Sequence, residues 1–193
     1  MSFSPQQRNE LLSLARESIV SGLREHRRTP CPQSYSPGLE VHRACFVTLR
    51  IARELRGCTG AIEARQAIAE DVWHNAWSSA FGDPRFPPLT FAEYERCSVH
   101  ISILSELERV PVTNESELLS ALRPGTDGIL FRASAGQATF LPAVWKQVPA
   151  PTDFVRHLKF KAGWPATFWP QDLQVFRYTT ESFGESGEEE DSE

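Results

Sequence analysis

The sequence contains no C-x-x-C pair, no H-x-x-H or H-x-x-x-H spacing, and no glycine-rich phosphate loop of the G-x-x-x-x-G-K-[ST] or G-x-G-x-x-G type. The first absence excludes zinc ribbons and redox dithiol motifs. The second leaves His26, His42, His74, His100 and His157 scattered, so no local metal site is expected. The third excludes the common nucleotide-binding loops. No motif asks for a cofactor, and the expectation is that there is none. A run of about 18 apolar residues is also missing, so nothing is expected to cross a membrane. The opening residues are polar and read as helix, not as an apolar secretory signal. The four cysteines, Cys31, Cys45, Cys58 and Cys97, are then expected as reduced thiols in the cytoplasm.

Concentrated positive charge is lacking too. The 17 arginines and 3 lysines are dispersed, and the net charge is −5. Gly184 to Glu193 hold six acids and no base, which leaves 20 basic against 19 acidic residues in the rest. A near-neutral body with an acidic tail is a poor electrostatic match for nucleic acid. The tail is Gly, Ser and acid only, so residues 184–193 are expected to be disordered.

What is present suffices for a core: 193 residues, 40% of them apolar. Leu11, Leu12, Ala15, Ile19 and Leu23 recur at helical steps, which predicts an amphipathic helix over 4–26. Val41–Leu49 and Leu55–Ile62 read as a strand pair, and 63–81 as a second helix with Trp73 and Trp77 in its core stripe. Asp83-Pro84-Arg85-Phe86-Pro87-Pro88 is a stiff loop. Thr90 with Glu93, and Asn114 with Glu117, look like capping boxes that open short helices. Cys97–Leu104 alternates as a strand. Gly128–Arg132 and Gln137–Leu141 form a second hairpin. Thr152 or Asp153 caps a helix ending at Lys161, and Leu173–Tyr178 is the last strand. The hairpins predict an α+β fold: an antiparallel sheet with flanking helices, in two lobes of similar element order. The expected layout is one domain over 1–183, with lobes of roughly 1–110 and 111–183.

The least generic segment is Leu55-Arg56-Gly57-Cys58-Thr59-Gly60. Glycine inside a strand marks a bulge or a close backbone approach. In extended backbone Arg56 and Cys58 share a face, and a nearby guanidinium favours the thiolate. The competing reading is a buried structural cysteine whose glycines serve packing. A tightly paired hairpin puts Cys45 opposite Thr59, which disfavours a disulfide with Cys58.

This segment is similar to the Leu-Arg-Gly-Cys-Ile-Gly signature of the AMMECR-domain family. Ala44-Cys45-Phe46-Val47-Thr48-Leu49 before it, and Asp83 to Leu89, Ile101-Ser102-Ile103-Leu104, Gly128-Ile129-Leu130, Leu141-Pro142 with Trp145, and Leu158 with Lys161-Ala162-Gly163 after it, agree in order and spacing. Thr59 replaces the family's usual Ile, and His100 stands where an acid is common. The resemblance covers about residues 10 to 183 and implies a two-lobed α+β fold. It also implies a gene neighbourhood with a Memo-like protein and a radical-SAM protein as partners, the AmmeMemoRadiSam set. It brings no established reaction.

Two functions are therefore carried forward. The first is a small enzyme or enzyme component with Cys58 as nucleophile or thiol carrier and Arg56 lowering the thiol pKa. In it, Gly57 and Gly60 allow close approach of a small-molecule ligand, Asp83 and Arg85 hold its anionic group, and Ser102 lies nearby. The second is an adaptor or binding module with a structural Cys58. Lys161, in a last helical turn, reads as an offset to the helix dipole.

Overall fold

The computed structural model describes residues 2–32 and 34–185. The chain separates into two compact units: residues up to Leu104 together with the segment from Glu181, and Ser105–Thr180. The boundary expected near residue 110 falls at Leu104/Ser105 because Glu108–Val110 forms a strand of the second unit's sheet.

In the first unit, α1 (Pro5–Glu25) starts at a full capping box between Ser4 and Gln7. Its Leu11, Ala15 and Ile19 are fully buried. Strands β1 (Cys45–Ile51) and β2 (Glu54–Gly60) pair antiparallel through the two-residue turn Ala52-Arg53. Helix α2 (Ile68–Phe81) begins five residues later than expected, after an isolated bridge between His42 and Ala67. Helix α3 (Phe91–Tyr94) carries the Thr90–Glu93 capping box, and β3 (Cys97–Leu104) follows. The sheet runs β2-β1-β3-β8, where β8 (Thr180–Gly184) was not anticipated. One face of this sheet, with Cys45, Val47, Leu49, Val99, Ile101 and Ile103, is buried in a core shared with α1 and α2. The alternate residues, Phe46, Thr48, Ser98, His100 and Ser102, lie on the other face and are half-buried.

Two residues of the expected disordered tail are placed otherwise. Gly184 closes β8, and Glu185 accepts from Arg16 and from the Val99 N–H. Residues 186–193 lie outside the described residues.

The second unit has β4 (Glu108–Val110), α4 (Glu115–Ala121), β5 (Gly128–Ala133), β6 (Gly136–Phe140), α5 (Pro151–Lys161) and β7 (Gln174–Tyr178), with sheet order β4-β7-β5-β6. Asn114 caps α4 as expected, but Glu117 bonds Thr113 and the Asn114 side chain. Helix α5 is capped by neither Thr152 nor Asp153. Its N-cap is Ala150, and Pro151 starts the helix without needing a donor. At the other end Gly163, at φ +79°, completes a two-bond C-terminal motif: its N–H reaches Phe160 C=O and that of Trp164 reaches Lys159 C=O. The fold is thus α+β, with an antiparallel four-stranded sheet in each unit.

Candidate functional site

Strand β2 is an edge of its sheet, and its register carries a bulge. Leu49 pairs with Gly57 and Arg50 with Leu55, so Arg56 is the extra residue. The bulge breaks the alternation on which a shared face for Arg56 and Cys58 depended. The Arg56 guanidinium donates to both carboxylate oxygens of Glu93, at 2.8 and 3.1 Å, and to the Pro87 carbonyl at 2.9 Å. It ties the strand to the proline-rich loop and α3, and its charge is met by Glu93. Its Nη1 is buried without a partner.

The cation beside Cys58 is Arg85. Asp83 accepts from the Cys58 N–H at 2.9 Å, and Arg85 Nη2 donates to the Cys58 carbonyl at 3.2 Å. Arg85 also forks onto Asp83 at 2.9 and 2.7 Å. Together the two side chains act on Cys58 as a neighbouring strand would, filling the donor and acceptor that an edge leaves open. The Arg85 guanidinium, helped by the Cys58 N–H, holds the buried Asp83 carboxyl far below the usual carboxylate range. Phe86 lies under both arginines, with guanidinium carbons 5.7 and 5.6 Å from its ring centre.

Because the Cys58 backbone points outward, its pairing with Thr48 is of the closely spaced kind, with side chains near each other. Thr48 Oγ1 accordingly donates to Cys58 Sγ at 3.3 Å. His100 is the next residue in this cross-strand row. Ser102 is two residues farther along β3, opposite Phe46, and shares a 2.9 Å hydroxyl contact with Ser182. It does not join Cys58.

The two glycines do permit close approach, but to the chain itself. A Cβ on Gly57 would stand 2.0 Å from the Ser79 carbonyl oxygen, and one on Gly60 2.4 Å from that of Cys45. Ser79 Oγ accepts from the Thr59 N–H at 2.9 Å and donates to the Val47 carbonyl at 2.7 Å, bridging facing groups of the β1–β2 ladder. Thr59 itself donates to Asn75 C=O, which gives its hydroxyl a purpose on α2.

Cys58 is half-buried; Cys45 and Cys97 are buried. Burial raises the thiol pKa at Cys45 and Cys97, and pushes Cys31 up to about 11 with help from Glu70 and Glu17. Cys45 lies opposite Ala61, to which its carbonyl is bonded, two residues beyond the expected Thr59. It faces the core while Cys58 faces the other way, so no disulfide can join them. Among the described residues, no cluster of three or more His, Cys, Asp or Glu could hold a metal ion, and no helix is long and apolar enough to cross a membrane.

The AMMECR1 family model matches residues 12–183. The chain belongs to the AMMECR1 family. Among its AMMECR1-type relatives, a protein of Methanothermobacter thermautotrophicus is 30% identical over 97% of this chain and 100% of its own length. Protein MJ0810 of Methanocaldococcus jannaschii is 32% identical over 79% of this chain and 78% of its own. The crystal structure of uncharacterized protein PH0010 from Pyrococcus horikoshii superposes with a TM-score of 0.87 at 27% identity, covering 96% of this chain and 94% of that one. These AMMECR1 likenesses settle family and fold; their names carry no activity.

Sequence reasoning missed Thr48 as the partner of Cys58 and Phe86 as the ring under the two arginines. Alternation along β1 already put Thr48 off the core face. Only the two-residue turn and the bulge set it opposite Cys58.

Proposed function

We propose that this AMMECR1-family chain is a small enzyme, or a component of one, that works through the Cys58 thiol. The observation that carries the reading is the contrast among the cysteines. Cys58 is half-exposed with a hydroxyl donor on its sulfur, whereas burial holds the other three thiols protonated. A half-exposed sulfur can be reached by an electrophile, which a buried one cannot. Arg85, half-exposed beside it, keeps the orienting role expected of it, with Nε and Nη2 on Asp83 and the rest of its guanidinium toward a carboxylate or phosphate, and it replaces Arg56 as the cation next to the thiol. Arg56 acts at a distance, by fixing the loop that presents Arg85.

The test is the iodoacetamide alkylation rate of each cysteine from pH 5 to 9, read by mass spectrometry. Cys58 should label first, with Cys45 and Cys97 silent until the protein unfolds. A Cys58 that stays silent as long as Cys45 would end the reading.

A second reading is supported by the glycines and both arginines, whose contacts all serve the fold. It makes the chain a non-catalytic adaptor for a Memo-like or radical-SAM partner, with a structural Cys58. Co-elution of the purified proteins, unchanged by Cys58→Ala, is the outcome it expects.

A further inference from the structure

We propose that the groove between β4 and α4 is a docking site for an extended peptide that adds as a strand to β4 and pairs an acidic side chain with Arg109. The argument begins with how the sheet edges are treated. An edge strand presents unpaired N–H and C=O groups, and folded proteins cover or blunt them. Asp83 and Arg85 close β2. Glu181 of β8 holds the Phe3 N–H and Arg8, bringing the start of α1 to that strand. On β6, Lys161 of α5 donates to the Thr139 carbonyl. Strand β4 is the edge beyond β7, and with α4 it lines a groove of about 520 Å³. That is the size range of ligand-binding clefts.

The groove's charges indicate the occupant. Glu108 is forked by Arg177 across the β4–β7 pair. Glu117 is turned to Thr113 and Asn114, where it serves the start of α4. Both acids of the wall are therefore spent. The Arg109 side chain is exposed and makes no hydrogen bond or ion pair among the described residues. The unspent polarity is one guanidinium, which pairs best with a carboxylate. Val110 and Val112 give the floor an apolar character suited to alternate side chains of an added strand.

The experiment pans a phage-displayed random decapeptide library against the full chain, then measures the recovered peptides by fluorescence anisotropy. Enrichment of Asp and Glu is expected, with binding at least tenfold weaker for Arg109→Glu. Ser120→Trp, which fills the groove from the exposed side of α4, should weaken it as much without touching Arg109. Each variant's thermal melt is compared with wild type, and if Arg109→Glu fails to fold the Ser120→Trp result decides. No enrichment, equal binding by the folded variants, or displacement by free glutamate at the concentration that displaces it from a bare arginine peptide would each overturn the proposal.

Discussion

The two sheets meet the same problem of a glycine under a crowded neighbour and answer it differently. In the first, Gly57 lies against a backbone carbonyl, that of Ser79, which is fixed inside a helix. In the second, Gly128 lies under the ring of Tyr178, 2.5 Å from the position its Cβ would take. The Tyr178 ring is buried with its hydroxyl held by Thr139 and the Phe140 carbonyl, so it gives way only by small shifts, whereas a helical carbonyl carries α2 with it. Gly57 is therefore fixed by how tightly β2 approaches α2, and Gly60 by its contact with β1.

The largest expected effect tests that difference directly. Gly57→Ala should destabilise by more than about 3 kcal/mol, the upper range for overpacking, or abolish folding of the first unit. Gly128→Ala should cost about 1–3 kcal/mol. Hydrogen exchange read by mass spectrometry separates the units. If Gly57→Ala loosens β1 and β2 no more than Gly128→Ala loosens β5, the backbone contact is not what fixes the glycine.

The next effect concerns acid. Glu93 is held down to about 2 by the Arg56 guanidinium, and Asp83 lower still by Arg85. Both groups have depressed folded-state values. Their stabilisation is present above the ordinary carboxylate range and lost as pH falls through the folded values. The first unit should therefore weaken from about pH 4 downward. Glu108 of β4 is also held down by Arg177, but it stands in solvent and salt screens it. Exchange in β2 should rise between pH 4 and 2 more steeply than in β4, and Glu93→Gln should flatten that rise. Equal slopes in the two strands would show that the Arg56–Glu93 tie contributes nothing special. Asp83→Asn belongs to the same test at neutral pH. Leaving its partners underbonded should cost about 1–3 kcal/mol.

Much of the fold was legible because it rests on local rules. The capping box at Thr90, the N-cap at Asn114, the stripe of α1 and the alternation of β3 are each fixed by neighbours in sequence. What was not legible is long-range. Strands β4 and β8 are short and polar, and they exist because β7 and β3 offer them ladders. At the site, residue chemistry singled out Cys58 and Arg85, which stand together. The place of Arg56 could not be read, because one extra residue in β2 sent its side chain to Glu93. Periodicity cannot report a bulge, and so it cannot report which arginine stands by the cysteine.

The smallest expected effect lies at the turn that sets this register. Ala52 and Arg53 sit at φ 50° and 71°, the left-handed pair of a two-residue hairpin, where Asn-Gly is the usual choice. A non-glycine residue there is strained by roughly 1–2 kcal/mol. Arg50 donates to the Arg53 carbonyl, a bond that any residue at 53 retains. Ala52→Asn with Arg53→Gly should therefore stabilise the first unit by about 1 kcal/mol, read as a higher urea midpoint at unchanged slope. The same variant sharpens the contrast between the sheets. If the turn alone sets the register, Cys58 labelling is unchanged and the strain is incidental. If relaxing it also alters the Cys58 rate, the bulge at Arg56 and the turn are coupled, and the strain helps hold Thr48 opposite the sulfur.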